Sequence, residues 1–304
     1  MKTNFSHIGL AKLCGWFGLT RQAYYQNGWK GMEVSIEEDI LLSEVSKIRE
    51  GHKRMGTRKL HDKLCKFMID HQIKMGRDAL FDLLSSNHML VRKRTRRIQT
   101  TQSHHWLRKY KNLIRGFVPT GPNQLWVSDI TYWKINGIYV YISFITDAFS
   151  RKVVGYHVAL SLETVETIEA LKMALSELIL GPNIQLNLIH HSDRGVQYCC
   201  NEYVRLLNEN HIQISMTENG DPLENAIAER LNGILKDEYL NDSPVKSIYE
   251  ARLLLAKSVR LYNEDRPHMS IGNHYPSQVH QQGLKTNRLW KNYYKKKPTI
   301  VNQS

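Results

Sequence analysis

Three acidic residues stand where a carboxylate could do chemistry: Asp129, Asp193 and Glu229, the last two separated by 35 residues (229 − 193 − 1). Asp129 lies in Leu125-Trp126-Val127-Ser128-Asp129-Ile130-Thr131, whose aromatic and β-branched content predicts a strand. A period of two puts it on the face of Leu125 and Val127, where an unpaired carboxylate is costly and a metal ion would offset the cost. Asp193 follows Leu188-Ile189-His190-His191-Ser192, at the carboxyl end of a second predicted strand, where open α/β sheets bind their ligands. Glu229 falls early in a helix predicted from Asn225. Lys236, seven residues on, returns to the same face, with Ile227, Leu231, Ile234 and Leu235 as the opposing apolar stripe. Three such carboxylates can hold two Mg²⁺ ions, one generating a nucleophile and the other stabilising the leaving oxygen of an in-line displacement.

Taken singly, each acid reads as an ordinary surface charge, so the surrounding strings must decide. His190 and His191 are further potential ligands, but this chemistry calls for hard oxygen donors, and both are read as hydrogen-bonded structural histidines.

The elements that must position these residues follow from periodicity. Three strands over 124–133, 138–147 and 152–160 are joined by Asn136-Gly137 and by Phe149-Ser150-Arg151, an antiparallel meander. Alternation then begins: a helix over 165–180, a strand over 185–192, a helix over 202–210, a strand over 212–216 and a helix over 225–239, with a last helix over 248–263. The sum is a mixed five-stranded α/β sheet flanked by helices. Trp126, Tyr132, Trp133, Tyr139, Tyr141 and Phe144 are read as packing for these strands.

Upstream the pattern is helical. A short segment over 8–25 breaks at Gly18-Leu19, with Thr20 as N-cap of a further turn, and helices follow over 36–49, 57–68 and 77–84. Their apolar stripes are Ile40, Leu41, Val45 and Ile48, then Leu60, Leu64 and Phe67, then Leu80, Phe81 and Leu84. This is the size of a DNA-binding module.

Charge supports that reading. Of the net +13, residues 1–118 carry all, with 23 Lys and Arg against 10 Asp and Glu, while 119–304 balance at 19 against 19. Without the basic tail from Lys285 onward, 119–284 hold 13 basic and 19 acidic residues, so an acidic centre lies between two basic arms. Arg92, Lys93, Arg94, Arg96 and Arg97 place five positive charges within six residues. Lys and Arg neutralise phosphates and release counterions, which points to nucleic acid, with a membrane surface as the lesser reading. No apolar run is long enough to cross a bilayer, and the first residues lack the apolar stretch of a secretory signal, so a cytoplasmic protein is expected. Cys14, Cys65, Cys199 and Cys200 show no paired spacing and predict neither disulfides nor a zinc knuckle.

The strings Trp126-Val127-Ser128-Asp129-Ile130-Thr131-Tyr132, His191-Ser192-Asp193-Arg194-Gly195-Val196-Gln197-Tyr198 and Glu224-Asn225-Ala226-Ile227-Ala228-Glu229-Arg230 each resemble a block of the DDE transposases and retroviral-type integrases. Tyr262-Asn263-Glu264-Asp265-Arg266-Pro267-His268 resembles a further block of bacterial insertion-sequence transposases encoded by a second reading frame. Gly56-Thr57-Arg58-Lys59-Leu60 looks like the entry to that family's second helix-turn-helix.

The resemblance implies an RNase H-like core, 3′-end cleavage of double-stranded DNA at terminal repeats, and strand transfer into target DNA. It makes Asp129, Asp193 and Glu229 catalytic ligands of two Mg²⁺ ions, with Mn²⁺ as a substitute. Lys236, Arg58, Lys59 and the basic run become DNA contacts, and His191, Gln197, Asn225 and Arg266 positioning residues or further DNA contacts. It also implies a nucleoid-associated bacterial protein, a homo-oligomeric synaptic complex and an upstream-frame partner or fusion. Retroviral integrases open with a His-His-Cys-Cys zinc domain; His61, Cys65 and His71 lack a suitably spaced fourth ligand, so no zinc is expected.

The expected organisation is a partial helix-turn-helix over 1–31, a helical DNA-binding domain over 32–91, a basic linker over 92–118, the catalytic core with its helical extension over 119–284, and a basic tail over 285–304. Two other readings stay open: a nuclease or resolvase on the same core, and a non-cutting helix-turn-helix regulator.

Overall fold

The computed structural model describes residues 8–91, 106–178, 187–218 and 225–287. The run from Arg92 to Arg97 and most of the basic tail lie outside them, as does the start of the strand expected over 185–192. The chain divides into two compact units, Met1–Gly51 with Gly56–Val91, and His52–Met55 with Arg92–Ser304.

The first unit is helical: α1 (Leu10–Trp16), α2 (Arg21–Gly51), α3 (Thr57–Asp70) and α4 (Arg77–Ser86). Thr20 caps α2 by accepting from the Ala23 amide at 3.0 Å. The expected boundary between residues 31 and 32 does not appear, because α2 is one helix of 31 residues. It contains no proline, and its glycines each cost only about 1 kcal/mol in a helix interior. Leu41 and Val45 of α2, Leu60 and Leu64 of α3, and Leu80 and Leu84 of α4 are buried, whereas Ile40 and Phe81, expected on the apolar stripes, are exposed.

The second unit is built on five strands: β1 (Leu125–Ile135), β2 (Ile138–Asp147), β3 (Val153–Ala159), β4 (Ile189–Ser192) and β5 (Gln213–Met216), in the order β3-β2-β1-β4-β5. β1, β2 and β3 form the antiparallel meander, and β4 and β5 add parallel to β1. Asn136 and Gly137 both take positive φ, 42° and 85°, the two-residue turn that matches strand twist. The helices are α5 (Thr164–Ser176), α6 (Val196–Cys199), α7 (Asn201–Glu209), α8 (Ala226–Leu235), α9 (Ile248–Glu264) and α10 (Pro276–Gln282).

The alternation of β1 and β2 divides the core. Trp133, Ile135, Val140, Ile142 and Phe144 pack on one face with α8 and α9. Trp126 and Ile145 pack on the other with α5 and α7. Gly155 lets α5 lie directly on β3, since a Cβ there would stand 2.2 Å from the Ala170 carbonyl oxygen.

The helix expected over 225–239 changes character: α8 ends at Leu235 and a π-helical turn, Lys236–Leu240, follows. The end of the basic linker is fastened to β5, with the Leu113 amide donating to Ser215 Oγ at 2.9 Å and Arg115 paired with Glu218 at 2.9 Å.

Candidate active site

β1 and β4 run parallel with Leu125 opposite Ile189, Trp126 opposite His190 and Val127 opposite His191. Two residues beyond that last pair on each strand come Asp129 and Asp193, so parallel pairing brings together two carboxylates far apart in sequence. Asp129 Oδ1 accepts from the Ile130 amide at 2.9 Å and Oδ2 from Asn232 Nδ2 at 2.7 Å. Asp193 Oδ1 accepts from the Gly195 amide at 3.0 Å, which fixes it in the turn before α6.

Glu229 projects from α8, exposed to solvent, with its carboxyl raised above the usual range by partial burial. Asp129 is pushed up to about 8, first by burial, then by the charges of Asp193 and Glu229, against the lowering effect of its two hydrogen bonds. The three carboxylates therefore share one electrostatic environment, in which a proton or a cation must offset the repulsion. Among the described residues, no three His, Cys, Asp or Glu side chains are drawn into a closed chelate. Asp193 acts on Asp129 more strongly than Glu229 does, and Glu229 is the exposed member.

The donor set nonetheless suits a hard divalent cation. It consists of carboxylate oxygens, and Asn232 Oδ1, beside Asp129, is buried without a hydrogen-bond partner. Asn232 was not singled out from sequence, although its position three residues after Glu229, one turn on, was the available signal. Thr131 was missed too: Lys236 Nζ donates to its Oγ1 at 3.1 Å and stands 5.5 Å from the centre of the Tyr132 ring.

The remaining expected residues fall into distinct positions. Asn225, buried, donates to the Ser128 carbonyl at 3.0 Å and so ties the start of α8 to β1 one residue before Asp129. His191 is buried and shares a 2.8 Å hydrogen bond with Ser215 Oγ on β5. His190 lies within hydrogen-bond distance of Ser128 Oγ and the Tyr203 hydroxyl, and burial lowers it to about 3, which keeps it neutral. Gln197 donates to the Leu162 carbonyl at 2.9 Å, joining α6 to the loop before α5.

Arg266 is 1% exposed and forms a two-point pair with Glu238 of the π-helical turn, so it is closed to DNA. The same turn is held by His52, whose ring bonds Tyr239 at 2.9 Å and Asp265 at 2.7 Å. Asn263, in the same block as Arg266, exchanges two 2.9 Å hydrogen bonds with the Val153 backbone and so closes the outer edge of β3. The Tyr262-to-His268 block is thus a structural clamp.

In the helical unit, Arg58 is exposed in the first turn of α3 beside Lys59. Positive charge at a helix N-terminus opposes the macrodipole, so helix stability does not account for these residues there.

Two family models described as integrase core domain match the chain, over residues 119–222 and 210–276. The chain is 32% identical to the insertion element IS600 uncharacterized 31 kDa protein of Shigella sonnei, over 87% of this chain and 96% of that one. It is 28% identical to the transposase for insertion sequence element IS629 of the same species, over 89% of this chain and 91% of that one. Among solved structures, the HTLV-2 integrase catalytic core domain in complex with magnesium matches at 22% identity and a TM-score of 0.42, covering 52% of this chain and 97% of that one. The chain belongs to the integrase-core family of insertion-sequence DDE transposases, and residues 119–276, within the second unit, are the part that matches the integrase core.

No helix among the described residues is long and apolar enough to cross a membrane.

Proposed function

We propose that this chain cuts the 3′ ends of its own insertion element and joins them to target DNA, with Asp129, Asp193 and Glu229 as the ligands of divalent metal. The observation that carries the reading is the β1–β4 register, which sets Asp129 and Asp193 side by side at the mouth of the sheet with α8 facing them. Membership of the integrase-core family supports divalent-metal dependence; Mg²⁺, two ions, and Mn²⁺ as substitute are the finer proposal.

When bound, the metal makes the attacking oxygen nucleophilic and stabilises the leaving oxygen. The chain does the rest. Asn232 holds one oxygen of Asp129 and the Ile130 amide the other, so the carboxylate cannot rotate away. Asn225 fixes where α8 meets β1 and hence where Glu229 stands. Lys236, steadied by Thr131, offers a cation to a DNA phosphate beside the carboxylates. Arg58, Lys59 and the run from Arg92 to Arg97 contact the DNA flanking the cut. Joining two element ends calls for a homo-oligomeric complex, and an upstream-frame partner completes recognition of the ends.

The test uses Mg²⁺ and labelled duplex carrying the element's terminal repeats. Nicked 3′ ends and joined products are expected, and both disappear in Asp193→Asn while duplex binding remains. Unchanged joining by that variant would remove Asp193 from the site.

A further inference from the structure

The rings that the core does not use lie together at the end of the β1–β2 hairpin. Trp126, Trp133 and Phe144 are buried, as expected of packing residues, but Tyr139 is 50% exposed and Tyr132 and Tyr141 are only partly covered. Register explains the grouping. Tyr132 pairs with Tyr141 and Lys134 with Tyr139, so all four side chains share one face, while Trp133 and Val140 between them point into the core.

The rings of Tyr132 and Tyr139 meet edge to face at 6.0 Å, and those of Tyr132 and Tyr141 at 6.2 Å. Each end of the group carries a cation, with Lys134 Nζ 5.8 Å from the Tyr139 ring centre and Lys236 Nζ 5.5 Å from that of Tyr132. Cross-strand packing alone accounts for aromatic pairs on a sheet, but it gives no reason to leave half of Tyr139 in water beside Lys134.

The location supplies a reason. Tyr132 is three residues along β1 from Asp129, about 10 Å at a strand's rise, and alternation sets it on the opposite face of the sheet; Lys236, which donates to Thr131 on the Asp129 face and stands over the Tyr132 ring, links the two faces. β4 pairs with β1 only as far as Val127, so this end of β1 runs on past its parallel partner. Flat rings with flanking ammonium groups match a nucleic-acid strand whose base faces are exposed, since aromatic stacking takes the bases and the lysines take the phosphates. Fully paired DNA hides those faces in its own stack.

Resting on the function proposed above, we infer that Tyr132, Tyr139 and Tyr141, with Lys134 and Lys236, form a stacking platform for unpaired bases of the DNA strand next to the cut. The element's end is unzipped over a few bases: the strand to be cut stays on the face of Asp129, and the freed strand passes Lys236 around the edge of β1 onto this platform.

The test measures binding without chemistry. Two hairpin duplexes are compared in the absence of divalent metal, one fully paired and one with its last three base pairs mismatched and 2-aminopurine in the displaced strand. The wild-type chain is expected to bind the mismatched duplex about tenfold more tightly and to change the probe's fluorescence. Tyr139→Ala combined with Tyr141→Ala reduces the preference below about twofold, leaves affinity for the paired duplex unchanged, and melts as wild type does. Tyr139→Phe, which keeps the ring, retains the preference. An alanine variant with the full preference, or a wild-type chain with none, overturns the platform. A tyrosine-dependent preference in a chain that never cuts with Mg²⁺ leaves the platform standing and removes the proposed function; cutting without the preference does the reverse.

Discussion

Arg266 donates through Nε and Nη2 to the two carboxylate oxygens of Glu238, at 2.7 and 2.6 Å, in a pair almost closed to water. The arginine follows α9 and the glutamate lies in the π-helical turn that Lys236 opens. Local unwinding of this kind often marks a functional position, and here it is stabilised from outside the helix. Arg266→Met strands a buried carboxylate and is expected to cost about 3–5 kcal/mol in urea unfolding, whereas Arg266→Met with Glu238→Met recovers most of it. A single variant as stable as wild type would mean that the pair contributes nothing.

Asn232 tests how Asp129 is held. As the hydrogen-bond partner of a proposed metal ligand, it is expected to matter by about 10–100-fold in metal affinity or activity when replaced by alanine. Titration of cleavage against Mg²⁺ concentration reads this directly: the curve should shift to higher Mg²⁺ while paired-duplex affinity stays constant. An unshifted curve would leave Asn232 as packing.

Asp129 ties stability to pH. Unfolded, its carboxyl loses its proton near the ordinary value of 3.8; folded and free of metal it keeps it to about 8. Between those values the folded chain binds the extra proton, so raising the pH through this window removes stability. The metal-free wild type should lose melting temperature from pH 4 to 8 relative to Asp129→Asn, and added Mg²⁺ should restore most at the upper end. A difference between the two proteins that is flat in pH would refute the assignment.

Gly155→Ala addresses the seat of α5. Its Cβ would meet the Ala170 carbonyl at 2.2 Å and the Ala174 Cβ at 3.0 Å, both fixed by the helix, so relief requires backbone movement. A loss of about 1–3 kcal/mol in denaturant unfolding is expected.

The sheet was legible in sequence because strand alternation and the Asn136-Gly137 turn are local signals, and the meander followed from them. The bringing together of Asp129 and Asp193 was legible only as two acids near strand ends, since their adjacency depends on a parallel pairing that no local pattern encodes. Arg266 illustrates what was hidden. A basic residue in a DNA-handling protein suggests a phosphate partner, and its burial against Glu238 is visible only once α9 and the π-helical turn are side by side. The tyrosines at 132, 139 and 141 read as core because period-two aromatics usually are, and the hairpin's end exposes them. α2 continues through residues 31 and 32 because no proline interrupts it.

The parallel β1–β4 pairing also has a consequence in time. The ribosome makes β1 first, and Asp129 has no carboxylate beside it until β2, β3, α5 and β4 have all been synthesised and folded; Glu229 emerges later still. A nascent chain or a proteolytic fragment ending before α8 holds part of the site and lacks the cutting capacity proposed for the whole. Strand topology thus leaves the proposed site incomplete until β4 and α8 have both joined β1.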